Sequence, residues 1–342
     1  MRKYLKELVD LNGIPGKETK VSEYIEEKIK EKVDEIHKDI LGNLIVLKKG
    51  KNNSKRQMVA AHMDEVGFLI SKINEDGTFN IVPAGGVDPR VVKAQRLMIN
   101  GEIPAVVNSK PIHLDKNLES VEGYDSIKVF AGFTKKEQTK GKVKIGDMVT
   151  FDIKYIENEN HAIAKAFDDR AGCSVMMDLI DYYHENNILP EYDTYFCFVV
   201  QEETGLRGSG SAAEYVKPDA ALILEGTTAG DNPENEPGKW ATHLGNGAVL
   251  TFMHSGVVLD EDLYNMVVKT AKENNINHQF KMRTAGGTDA ARLAKTMYGI
   301  PAAVISVPCR YLHSPNTIIN LSDYENVFNI SKILLTEGRI IK

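Results

Sequence analysis

The sequence predicts an α/β fold: a mostly parallel sheet covered by helices on both faces and interrupted by a β-rich insertion. Three observations carry this reading. Apolar strand-like runs alternate with amphipathic helical stretches in residues 1–67 and again in 161–342, the texture of a parallel sheet. Residues 68–160 lack long periodic helices and alternate short β-like runs with Gly, Pro and Lys turns. The polar residues with chemical potential follow apolar strand runs, where open α/β sheets bind their ligands.

Taken in order, residues 17–36 predict one helix, because Val21, Ile25, Ile29 and Val33 recur every four residues among Lys and Glu. Asn43-Leu44-Ile45-Val46-Leu47 and Met58-Val59-Ala60-Ala61-His62 read as strands. Within the insertion, Arg96-Leu97-Met98-Ile99 and Val149-Thr150-Phe151-Asp152-Ile153 are the clearest β-like runs. A helix is expected at 170–186, where Val175, Met176, Leu179, Ile180 and Tyr183 share one face. Strands are expected at 195–200, 220–224 and 302–307, with helices at 260–274 and 288–297 between them. No internal repeat, low-complexity tract or long charge block interrupts the pattern.

A length of 342 residues accommodates two domains, or one carrying a large insertion. The formal net charge of -6 argues against a broad nucleic-acid surface. Cys173, Cys197 and Cys309 are isolated and odd in number, which argues against a disulfide framework and fits a reducing compartment. Charges interrupt every apolar cluster at the start, and no run is long enough for a signal or a spanning helix. The expectation is a cytoplasmic protein with neither nucleic acid nor membrane as partner.

Five strand-end positions share a chemical character: His62 with Asp64, Asp168, Glu202 with Glu203, Glu225, and His313. Residues two apart in a strand point the same way, so Asp64 can lie beside His62 and orient its imidazole. Taken singly, a lone His or Glu is an ordinary core or surface residue, and His37, His113, His161, His184, His243, His254 and His278 are read so. Asp169 and Glu65 read as hydrogen-bonding neighbours, and Cys309, four residues before His313, as a buried inert thiol. Counting one donor from each position, two imidazoles and three carboxylates carry a charge that would be costly to bury without cations. Two divalent ions sharing a bridging carboxylate and a hydroxide would bring it close to neutral, and His with carboxylate donors suits Zn, Co or Mn.

At these residues the chain resembles the M42 metallo-aminopeptidases, a family that includes tetrahedral, glutamyl and deblocking aminopeptidases. The resemblance runs nearly the whole chain. It takes in Gly42-Asn43, Ala61-His62-Met63-Asp64-Glu65-Val66-Gly67, Phe167-Asp168-Asp169-Arg170, Gln201-Glu202-Glu203-Thr204-Gly205-Leu206-Arg207-Gly208, Gly286-Gly287-Thr288-Asp289-Ala290 and Arg310-Tyr311-Leu312-His313-Ser314-Pro315. It implies that His62, Asp168 and Glu225 hold one metal, that Glu203, His313 and the shared Asp168 hold the other, and that Glu202 is the catalytic base. Asp64 would support His62.

The resemblance also implies a catalytic domain formed by residues 1–67 and 161–342. A small β-barrel-like domain at 68–160 would serve dimerisation and assembly. Many members have Asp where this chain has Glu225, and many carry an acidic residue where it has Val129-Phe130-Ala131-Gly132.

The implied activity is that of a two-metal aminopeptidase acting on short peptides with a free amino end. A water bridging two ions, Zn or Co, would be the nucleophile and Glu202 the general base. The expected assembly is a homo-oligomer, a tetrahedral dodecamer built from dimers. Two rival readings exist: a glycosidase using the Glu202 and Glu203 carboxylates, and a non-catalytic assembly protein on a hydrolase scaffold. The first leaves both imidazoles without a role, and the second would be free to lose ligands that this chain retains.

Overall fold

The computed structural model describes residues 1–109, 121, 123–236, 238–284 and 286–341. The chain begins with α1 (Leu5–Asp10), α2 (Thr19–Ile29), β1 (Glu35–Lys38), β2 (Leu44–Lys48) and β3 (Asn52–His62). Six strands follow: β4 (Gly67–Ile73), β5 (Phe79–Ala84), β6 (Arg96–Ile99), β7 (Ile103–Val107), β8 (Lys128–Phe130) and β9 (Met148–Phe151). Next come β10 (Ile156–Asn158), β11 (His161–Ala164), α3 (Phe167–Glu185), β12 (Tyr192–Val199), α4 (Gly208–Val216), β13 (Ala220–Thr228) and β14 (Ala248–Thr251). The remainder is β15 (Met253–His254), β16 (Val257–Val258), α5 (Glu261–Glu273), β17 (His278–Phe280), α6 (Asp289–Leu293), β18 (Ala302–Arg310), β19 (Thr317–Asn320) and α7 (Leu321–Thr336).

The large sheet runs β1-β2-β12-β3-β13-β18-β19-β11-β10, with β14 pairing β17 and β18. Its centre, β12-β3-β13-β18, is parallel throughout. Antiparallel strands finish both margins. Alternate residues of the central strands enter two separate cores. Val59, Ala61, Leu222, Leu224, Ala303 and Ile305 pack with α3, α5 and α7 on one face. Met58, Ala60, Ala221, Ile223, Ala302 and Val304 pack with α4 and α6 on the other. That period of two with both faces apolar is why these strands read as continuous hydrophobic runs.

The inserted strands close into a barrel, β4-β5-β8-β7-β6-β9. Phe68, Ile70, Phe79, Leu97, Ile99, Val129 and Phe151 point inward and form a core of their own. Phe68 and Phe151 meet edge to face with centroids 5.6 Å apart. Ile14, Ala84 and Met148 form a small separate cluster joining the barrel to the chain's start.

Two expected helices differ in extent. The stretch 17–36 is helical only to Ile29. Residues 30–32 make a single tight turn, and β1 then pairs antiparallel with β2, placing His37 opposite Ile45. The stretch 288–297 is capped by Thr288 but regular only over Asp289–Leu293. Beyond it Lys295 and Thr296 bond carbonyls three residues back, which tightens and ends the helix. No helix among the described residues is long and apolar enough to cross a membrane.

Candidate metal centre

The centre lies at the carboxyl ends of the four central parallel strands. His62 ends β3 and pairs with Val199 of β12, so Glu202 and Glu203 follow one turn further on. Ile223 of β13 pairs with Ala60, which sets Glu225 level with His62. His313 comes three residues after β18, and Asp168 sits at the start of α3. Asp168 and Asp169 are not helical, and regular helix begins at Arg170. Gly226 admits the aspartate, since a Cβ there would lie 3.0 Å from the Asp168 Cα and Cβ.

Two donor groups form, and Asp168 belongs to both. His62 Nε2 is 3.1 Å from Asp168 Oδ1 and 3.3 Å from Glu225 Oε1. His313 Nε2 is 3.3 Å from Asp168 Oδ2 and 3.2 Å from Glu203 Oε1. Bonds of about 2.1 Å from a tetrahedral ion place its donors ~3.4 Å apart, so both groups have the right spacing. Both imidazoles are held by backbone carbonyls at the opposite nitrogen. His62 Nδ1 lies 3.0 Å from the Asp64 carbonyl oxygen, and His313 Nδ1 lies 2.8 Å from that of Gly86. A ring that donates from Nδ1 presents its Nε2 lone pair to a metal. Glu225 Oε2 is buried with no hydrogen-bond partner, as a carboxylate awaiting a cation would be. The residues therefore fit two divalent ions.

The electrostatics agree with this. Burial would lower the His62 and His313 pKa values, but the surrounding carboxylates outweigh it. His62 is raised well above its ordinary value, and His313 to about 11. Glu225 is pushed up to about 8, chiefly by burial, and Glu203 is raised for the same reason. Asp168, flanked by both rings, is held low against its burial. Protons thus crowd where cations would sit. Glu202 is raised well above the carboxylate range by burial, opposed by His62 and reinforced by Glu225.

Asp64 has a larger part than its spacing implied. Its Oδ1 is 3.5 Å from His62 Nδ1, longer than the ring's contact with the Asp64 backbone carbonyl. The carboxylate instead accepts the backbone N–H groups of Glu202 and Glu203, at 3.1 and 3.0 Å. It therefore fixes the turn that carries both glutamates. Asp169 is a hydrogen-bonding neighbour, accepting from the His62 and Gly172 amides. Glu65 is sealed in an ion pair with Lys165, Nζ lying 2.6 and 2.7 Å from its two oxygens. Cys309 is buried and donates to the Val307 carbonyl, and burial raises its thiol well above the ordinary value, so no Cys–His nucleophile forms.

Among the described residues, no other histidine enters either group. His37 stacks on Tyr215, and His254 is buried against Thr288. His113 lies outside the described residues. The sequence reading missed Gly86, Lys165 and Lys281. For the first, the Gly85-Gly86 pair is a usable signal: Gly85 has φ +92°, and a Cβ there would lie 2.8 Å from Val66. The barrel thereby lends a carbonyl to the centre.

A cavity of about 620 Å³ opens over the two groups, lined among others by Glu202, Thr227, Lys281, Gly287, Thr288 and Leu312. An α/β domain with a closed barrel inserted in it, and paired His–carboxylate groups at its strand ends, is the arrangement of a hydrolase with a candidate metal centre. The family model described as M42 glutamyl aminopeptidase matches residues 42–330, and the chain belongs to that family of peptidases.

Its relatives include a glutamyl aminopeptidase of Lactococcus lactis, 31% identical over 97% of this chain and 95% of its own. A lysyl aminopeptidase of Pyrococcus furiosus is also 31% identical, over 97% and 96%. Among solved structures, a Thermotoga maritima protein described as an endoglucanase is 44% identical, with a TM-score of 0.83 and 98% of each chain covered. A Pyrococcus horikoshii peptidase, described as able to assemble into a tetrahedron or a large octahedral shell, is 28% identical. Its TM-score is 0.88, with 98% of this chain and 99% of that one covered.

Proposed function

We propose that this chain is a two-metal aminopeptidase that releases single residues from the free amino end of short peptides. The observation that carries the reading is the pair of His–carboxylate groups sharing Asp168, with Glu202 lining the cavity above them. His62, Asp168 and Glu225 would hold one ion, and Asp168, Glu203 and His313 the other. Zn or Co suits donors of this kind, and when bound such ions acidify water and polarise a peptide carbonyl.

The chain's own residues supply the rest. Glu202, whose burial favours its protonated form, takes the water proton and returns it to the leaving amine. Asp64 keeps Glu202 in register by holding its backbone amide. The carbonyls of Asp64 and Gly86 lock the two rings, so little reorganisation is needed at the moment of reaction. Glu225 is one methylene longer than Asp, yet its Oε1 reaches the same 3.3 Å from His62 that Asp168 Oδ2 holds from His313.

Residues 1–67 and 161–342 would form the catalytic unit, and the barrel-bearing insertion at 68–160 the dimerisation and assembly unit. The assembling Pyrococcus relative supports a tetrahedral dodecamer, whose closed shell would admit short peptides and exclude folded proteins. A cytoplasmic location fits the three buried free thiols. The endoglucanase description of the Thermotoga protein does not transfer, because a glycosidase leaves His62 and His313 idle. In the test, chelator should abolish release of amino-terminal residues, Zn or Co should restore it, and N-acetylation of the peptide should stop it. Internal cuts in a blocked peptide as the main products, seen by mass spectrometry, would overturn the reading.

A further inference from the structure

We propose that Lys281 makes the residue-selecting end of the cavity a carboxylate site, so that this enzyme prefers an acidic amino-terminal residue, Glu or Asp. The inference rests on the aminopeptidase reading but goes beyond it, because kinship leaves the choice open. The glutamyl and lysyl relatives named above are equally similar to this chain.

Lys281 follows β17, and its backbone N–H bonds the Leu250 carbonyl, which ties it to β14. It is only 7% exposed, yet it lines the cavity. Its ammonium makes no hydrogen bond or ion pair among the described residues. A buried ammonium without an anion is costly, and here burial weakens its hold on its proton. The carboxylates that act on it at a distance are Glu225 and Asp168, both members of the metal groups. Cations bound there would cancel that attraction and leave Lys281 still more in need of an anion.

Apart from the metal groups and Glu202, every charged residue lining the cavity among the described residues is a cation: Lys239, Lys281 and Arg283. Lys239 and Arg283 are exposed at the rim. Lys239 is already paired with Glu236 at 2.7 Å, and Arg283 bonds the Gly238 carbonyl at 3.5 Å. Arg283, whose contact is a neutral carbonyl, would steer an acidic peptide inward, while Lys281 receives its first side chain. A lysyl or arginyl side chain would meet like charge, and an aliphatic one would leave the ammonium unpaired.

The test uses the full, metal-loaded chain and the p-nitroanilides of Glu, Gln, Leu and Lys. Glu and Gln have the same shape and differ in charge, so their kcat/KM ratio reads the carboxylate alone. The expected ratio is about 10- to 100-fold in favour of Glu, the value of a charge-assisted bond. Lys281→Met should bring it to within about threefold of unity, and Lys281→Arg should keep most of it. Metal content and circular dichroism of each variant exclude misfolding. No preference for Glu over Gln in the parent, or a preference that survives Lys281→Met, overturns the proposal.

Leu-Gly compared with its C-terminal amide separates the other source of a carboxylate. If Lys281→Met erases selectivity only in that pair, Lys281 reads the peptide's far end and the proposal is wrong. Should the parent cleave none of these substrates, the aminopeptidase reading fails by itself. Calorimetric binding of free glutamate against glutamine to the metal-loaded chain then decides the selectivity.

Discussion

Replacing Asp64 with Asn tests whether the turn carrying Glu202 and Glu203 is held as the structure indicates. The Asp64 carboxylate is fully buried and accepts two backbone amides, from Glu202 at 3.1 Å and Glu203 at 3.0 Å. Asn keeps one acceptor oxygen and turns the other into a donor that faces an N–H group. Losing a bond to a charged acceptor costs about 1.5–3 kcal/mol, and the stranded amide costs about 1–3 kcal/mol more. Relaxation of the turn recovers part of this, so the expected loss of stability is about 2–4 kcal/mol. The displaced amides belong to the proposed base and a proposed ligand, so part of the loss reaches the transition state. If ~1.4–2.8 kcal/mol does so, kcat/KM falls about 10- to 100-fold. The assay is urea unfolding alongside kcat/KM with metal in excess. An Asn variant with the parental urea midpoint and parental kcat/KM would refute the reasoning.

Lys165→Met should destabilise the chain by about 3–5 kcal/mol in urea unfolding, because Glu65 would stay buried with only the Arg170 guanidinium, 3.8 Å away, to balance it. A shift below ~1 kcal/mol would contradict a buried ion pair that depends on Lys165. Glu18 is pushed up to about 7, first by burial and then by the Asp64 charge. Its folded pKa lies above the ~4.3 of an unfolded Glu, so the stability it contributes is complete below that value and lost as pH rises through 7. The stability of the parent relative to Glu18→Gln, in chelator, should therefore decline by about 3–4 kcal/mol across that window, and a flat difference would contradict the assignment. Light scattering of metal-loaded protein should show a dodecamer. A monomer alone would remove the proposed assembly role of the insertion.

The parallel centre was legible because its strands are apolar on both faces, as Met58 through Ala61 and Ala220 through Leu224 illustrate. The same pattern drew attention to the strand ends, which is why residues as far apart in the chain as His62 and His313 could be read as one set. Periodicity misled at Val33, which continues the spacing of Val21, Ile25 and Ile29 but is already extended. The antiparallel pairing of residues 35–38 with 44–47 wins over local helical preference, and a partner strand is invisible to a window of sequence. Asp64 illustrates a second limit. Its spacing from His62 was readable, but its acceptance of the Glu202 and Glu203 amides depends on β12 lying beside β3. Gly86 contributes one carbonyl, and Lys281 an ammonium with no partner among the described residues; both sit in irregular segments, where no period singles them out.

In the proposed mechanism adjacent glutamates divide two tasks, Glu202 moving the proton and Glu203 binding metal. Metal stoichiometry and turnover of Glu202→Gln and Glu203→Gln, measured side by side, test it most directly. Gln at 202 keeps the size of the side chain but cannot accept the proton, so turnover should fall at least ~100-fold with metal content near that of the parent. Gln at 203 removes a charged donor beside His313, so one site should empty or weaken, with partial rescue by excess metal. A Glu202→Gln protein that loses metal while Glu203→Gln keeps it would reverse the assignment, and near-parental turnover in Glu202→Gln would contradict it outright.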